Sequence, residues 1–208
     1  MLRQRPRLAH ACVRLALMYL SNSRLDDARA MMLRAKAADA LLPDLAFLET
    51  VVALFRREFD AAVEWGRNTV DLHPGLQLGR AFYAQALEFA GQPLEAMAQY
   101  RMASTMSPDT PWIRALEGSC LARFGRFAEA AAILEDLRRT RENEYVDAYQ
   151  MALLLDVLGK RDEAFEELER ADQENSYGLL FLDVDAKADR IRADPRFRSL
   201  RNRVFRPS

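Results

Sequence analysis

Apolar residues along this chain fall three and four positions apart in runs of about 14 residues, the spacing of an amphipathic helix. The runs come in pairs, and the pairs repeat. Ala28, Ala62, Ala96, Ala130 and Ala164 recur at one fixed interval without interruption. Other positions keep the same register: Tyr19, Ala53, Leu87, Leu121 and Leu155 form one series, and Ser23, Arg57, Gly91, Gly125 and Gly159 another. The pattern predicts five helical hairpins over 9–42, 43–76, 77–110, 111–144 and 145–178, preceded by a short extension at 1–8 and followed by a cap at 179–208.

The physical logic is read most easily in the third unit. Ala84 and Leu87 share one face of its first helix, and Ala96, Tyr100 and Ala103 share one face of its second. Small residues at the crossing let the two backbones approach, and larger ones fill the space beside it. Gly91 suits a turn that needs positive φ. Pro74 and Pro108 end second helices, because proline cannot continue the hydrogen-bond ladder. One hairpin cannot bury its own apolar face, so neighbouring hairpins are expected to stack.

A period of 34, small residues at positions 8 and 20 of each unit and proline near its end resemble the tetratricopeptide repeat. Tyr83, Ala84, Leu87, Gly91, Ala96, Tyr100, Ala103 and Pro108 fall where that family places them. The resemblance implies an all-α, right-handed α-solenoid of five hairpins with C-terminal capping helices. It also implies that the first helices line a concave surface that takes a peptide or helix of a partner protein. Groove positions would then be occupied by Val13, Leu17, Leu20, Phe47, Val51, Leu54, Phe55, Gln85, Trp112 and Tyr149. Family members that grip a C-terminal carboxylate use lysine and asparagine where this chain has Val13, Leu17, Phe47 and Val51, so that mode is excluded.

The second unit raises a separate question. From Ala46 to Phe55 only Glu49 and Thr50 are not apolar, and a helix apolar on nearly all sides needs cover on nearly all sides. Two readings stay open. Phe47, Val51, Leu54 and Phe55 face a partner peptide, a partner helix or another copy of the chain, or else tight curvature lets the first helices cover one another. In a homodimer, Arg3, Arg5 and Arg7 would meet Asp44 of the other copy. Glu49 and Glu117 replace apolar residues inside the array and call for cations, with Arg80 expected beside Glu49 and Arg114 beside Glu117.

After Gly178 the register stops. Asp194-Pro195 predicts the start of a last helix running to about Phe205. The string LDVDAKADRIRADPRFRSL resembles the tail that ends repeat arrays in bacterial multidomain regulators, which offers an alternative role as a regulatory or sensor module. Asp194-Pro195-Arg196-Phe197 fits that tail; Asp185-Ala186-Lys187-Ala188 departs from it. Eight basic residues between Lys187 and Arg206 fit a polar cap, with Phe197 and Phe205 on its buried face.

Composition adds exclusions. With 50% hydrophobic and 29% charged residues and a net charge of −1, the chain is neither a membrane span nor a polyanion binder. Nucleic-acid recognition would want aromatic residues interleaved with charge. Cys12 and Cys120 lack metal-type spacing, no signal peptide is evident, and a reducing cytoplasm is expected. His10 and His73 lie in different units, and there is no phosphate-binding glycine loop, so no catalytic residue, metal or cofactor is expected. The acidic run Glu163, Glu166, Glu167 and Glu169 reads as a solvated helix face.

Overall fold

Each expected run of helical spacing forms a helix. The structure, a computed structural model, describes residues 6–107 and 110–205. Arg3, Arg5, Pro108 and Arg206, to which the sequence assigned roles, lie outside the described residues. The first ten helices are α1 (Pro6–Ser21), α2 (Leu25–Ala38), α3 (Pro43–Phe55), α4 (Phe59–Leu72), α5 (Gln77–Phe89), α6 (Pro93–Met106), α7 (Pro111–Arg123), α8 (Phe127–Arg141), α9 (Ala148–Val157) and α10 (Arg161–Gln173). Among the described residues there is no strand, and the all-α hairpin architecture is the one expected.

Register is kept to the residue. The second helices start at Leu25, Phe59, Pro93, Phe127 and Arg161, each one full repeat after the last. The alanines of the same period are fully buried in their first turns. Each donates its N–H to the carbonyl four residues earlier, at 2.9–3.1 Å. Only α9 starts late for a first helix. Asp147 caps it, its carboxylate accepting from the N–H groups of Tyr149 (2.8 Å) and Gln150 (3.2 Å) and from the Ser176 hydroxyl (2.9 Å).

One turn geometry recurs inside every hairpin. Ser23, Arg57, Gly91, Gly125 and Gly159 all have positive φ, between 57° and 82°. The next residue in each case returns its N–H to a carbonyl five residues back, from Arg24 to Tyr19 (2.8 Å) through to Lys160 to Leu155 (2.9 Å), which closes a Schellman motif. Ser23 and Arg57 therefore hold a conformation that a Cβ disfavours. Ser23→Gly is expected to stabilise the chain by about 0.5–1 kcal/mol, and Gly125→Ala to cost about 1 kcal/mol, in urea unfolding. Equal midpoints for all three chains would show that the turn conformation carries no such cost.

The helices gather into two compact units, Met1–Gln99 and Tyr100–Ser208. In the first, α3 packs against α1, α2, α4 and α5. In the second, α7 packs against α8 and α9, and α9 against α10.

The second unit also carries the tail. Short 3-10 turns at Tyr177–Phe181 and Ala186–Ala188 lead to α11 (Asp189–Arg192) and α12 (Phe197–Val204). Leu179, Leu182, Ala188, Ile191 and Leu200 join Tyr149, Leu153, Phe165 and Leu168 in one buried cluster, with Phe197, Val204 and Phe205 packed against it. The last helix starts at Phe197, not at Asp194-Pro195 as the sequence suggested. Asp194 instead closes the preceding turn, accepting from the Arg196 N–H (3.0 Å) and guanidinium (3.0 Å). Those donors hold its carboxyl down at about 2.

The tail's basic residues are largely spent on the acids beneath them. Arg203 pairs with Asp172 (3.0 Å) and Glu169, Arg201 with Asp183 (2.8 Å), and Arg196 with Asp162 (2.9 Å). The acidic run on α10 is accordingly less solvated than expected. Glu163 pairs with Arg138 (2.5 Å) and Glu167 with Arg141 (2.6 Å), both on α8, while Glu166 remains exposed.

Candidate protein-interaction surface

The groove drawn from the sequence is mostly interior. Val13, Leu20, Val51, Leu54, Phe55, Gln85 and Tyr149 are buried; Leu17, Phe47 and Trp112 are half-buried. The reason lies in the cover around α3. With α1 and α5 on it as well as α2 and α4, its nearly all-apolar surface is used up by neighbouring helices. Of the two readings left open, the one in which first helices cover one another describes Val51, Leu54 and Phe55. Of the stripe that a homodimer would use, only Phe47 keeps partial exposure.

Of the groove positions assigned in the first unit, Leu17 and Phe47 keep partial exposure. Phe47 on α3 stacks on Phe82 of α5, ring centroids 6.1 Å apart and planes within 10°. Both rings are half-buried. Phe82 sits one place beyond the groove positions assigned from register, and for that reason the sequence reading missed it.

Tyr149 does other work. Its ring lies against Gly178, and its hydroxyl donates to Asp185 at 3.1 Å. Burial, with the Asp185 charge and hydrogen bond adding to it, pushes the phenol well above its ordinary value. Asp185 also accepts from the Lys187 N–H (3.0 Å) and pairs with the Lys187 ammonium (3.3 Å). Both members of that pair are buried. Asp185 and Lys187 depart from the tail motif that the sequence resembles; here Asp185, paired with Lys187, ties the tail to Tyr149 of α9.

The interior acids are paired, one of them differently from expectation. Glu117 meets Arg114 (2.8 Å) as expected, and also Arg101 (3.2 Å). Glu49 takes Lys36 (2.7 Å) in place of Arg80. The Arg80 guanidinium donates instead to Gln99 (2.6 Å) and to the Pro74 carbonyl (3.3 Å). Asp156 is fully buried against Arg161 (2.8 Å) and Arg190 (3.5 Å); burial nonetheless raises its carboxyl. An open cleft of about 400 Å³ in the second unit is lined by Ser104, Thr110, Pro111, Arg114, Asp136 and Leu137, with its arginine paired to Glu117.

Solved structures share this arrangement. TTC0263, a thermophilic tetratricopeptide-repeat protein of Thermus thermophilus, superposes with a TM-score of 0.68 at 18% identity, covering 92% of this chain and 98% of its own. The chain has the tetratricopeptide-repeat fold. YrrB, described as a tetratricopeptide-repeat protein with an unusual peptide-binding site, gives a TM-score of 0.50 at 18% identity, covering 83% of this chain and 89% of its own. PilF of Pseudomonas aeruginosa gives 0.55 at 14% identity, covering 86% and 82%. No protein-family model matches the sequence, and no curated protein matches it. In tetratricopeptide-repeat terms, Phe47 and Phe82 belong to first helices of consecutive repeats. No described helix is long and apolar enough to cross a membrane.

Proposed function

We propose that the chain is a non-catalytic protein-interaction scaffold that takes a peptide or helix of a partner protein on the first-helix surface of its first unit, at Phe47 and Phe82 with Leu17 as a flanking contact. The observation that carries this reading is the stacked Phe47–Phe82 pair, both rings half-buried, beside the buried Val51, Leu54 and Phe55. Two rings held against each other lose little freedom on binding and present a large apolar area, the character of an interface anchor. The peptide-binding description of one structural neighbour supports the same class of role. The experiment is photocrosslinking from position 47 in the full chain, with Phe47→Asp as the matched loss of the anchor.

A further inference from the structure

A second surface emerges from the repeat register itself and stands independently of the Phe47–Phe82 reading. Glu49, Tyr83 and Glu117 occupy one position of successive first helices, each one repeat from the next. Each receives the second helix of the preceding hairpin. Glu49 binds Lys36 of α2 at 2.7 Å, Tyr83 lies against Gly66 of α4, and Glu117 binds Arg101 of α6 at 3.2 Å. Gly79, one turn earlier on α5, likewise meets Thr69 of α4. Carried back in register, these positions are Leu15 and Ala11 on α1. Leu15 is 40% exposed, Leu8 41% and Met18 61%, and Ala11 is exposed between them. Among the described residues no second helix covers this face, so α1 presents, exposed and apolar, the face by which later first helices are docked.

We propose that this face of α1 docks an amphipathic helix of a partner protein with a small or apolar contact stripe and acidic flanks. The geometry follows from continuity, because the same face of α3 and of α5 accepts a helix within this chain. Leu15, where units two to four carry a paired glutamate or a tyrosine and unit five the buried Met151, makes the contact apolar. The flanks are set by charge. α1 contains no acidic residue, and Arg7 and Arg14 are exposed beside the stripe. A second copy of the chain is disfavoured on the same ground, since two-fold pairing of α1 with itself would oppose these cations with no carboxylate on either helix.

The test uses the full chain and a synthetic amphipathic helix, Ala and Leu on its stripe and Glu on its flanks, followed by fluorescence anisotropy. A probe with Lys in place of Glu serves as the charge control. The acidic probe is expected to bind saturably, and to lose about tenfold or more in affinity to Leu15→Glu and to Arg14→Glu. Both positions are exposed, so the variants should keep the wild-type melting temperature. No saturable binding, equal binding of the Lys probe, or binding unchanged by Leu15→Glu overturns the proposal. So does loss of binding in Phe47→Asp alone, which would place the probe at the other surface. Concentration-dependent self-association that Leu15→Glu removes would replace the partner helix with a second copy.

Discussion

Gly66→Ala is expected to lower the melting temperature clearly, although alanine is the better helix former. A Cβ built at Gly66 would stand 2.6 Å from Tyr83 Cδ2 and 2.9 Å from both Tyr83 Cα and Cβ. The nearest obstacle includes backbone, so a rotamer change cannot relieve it, and α4 and α5 must separate. Overpacking of this kind costs about 3 kcal/mol. The gain in helix propensity returns about 1 kcal/mol, leaving a net loss near 2 kcal/mol. For a chain of this length that is roughly a 4–8 °C fall. Gly75→Ala, where nothing lies within 4 Å, is the control and should change little. Equal melting temperatures for the two variants would show that α4 and α5 do not approach this closely.

Leu200→Asp is expected to detach the tail. Leu200 is almost wholly buried in the cluster formed with α9 and α10. Removing its side chain from water contributes about 1.5–3 kcal/mol, and a carboxylate in its place would be desolvated among the apolar side chains of the cluster. The ion pairs of Arg196, Arg201 and Arg203 are partly exposed and contribute little on their own, so they cannot hold the tail against that loss. Limited trypsin digestion reads the outcome. Cleavage within 190–203 should become much faster in Leu200→Asp than in Arg198→Asp, whose side chain is exposed. Indistinguishable digestion of the two would mean that Leu200 does not anchor the cap.

The parts of this fold that were legible in the sequence are those set by local sterics. The alanine that recurs once per repeat marks a crossing too close for a larger side chain, and Ala28, Ala62, Ala96, Ala130 and Ala164 all prove fully buried. The turn series was only half legible. Gly91, Gly125 and Gly159 announce positive φ, whereas Ser23 and Arg57 adopt it because the register imposes it. Surface exposure was the hardest to read. Periodicity shows that α3 is apolar on nearly all sides, but not that α1 and α5 both pack on it, so from sequence alone Val51, Leu54 and Phe55 fit a binding stripe or a buried contact equally. The partner of Glu49 was misjudged for a related reason, because register places Arg80 nearby while the preceding second helix delivers Lys36. On α1 the same register, read against the buried faces of α3 and α5, locates a surface that hydrophobicity alone does not separate from core.

The most direct test of the account is where a partner touches the first unit. A photocrosslinking residue is placed in the full chain at position 47, at position 82 and, as a control, at Leu72, which is exposed on α4. Adducts are then identified by mass spectrometry with and without excess Phe47→Asp chain as competitor. The account predicts that positions 47 and 82 capture the same partner segment, that position 72 does not, and that excess Phe47→Asp fails to compete where excess wild type does. Capture from position 72 alone, or the same segment captured from all three positions, would contradict it.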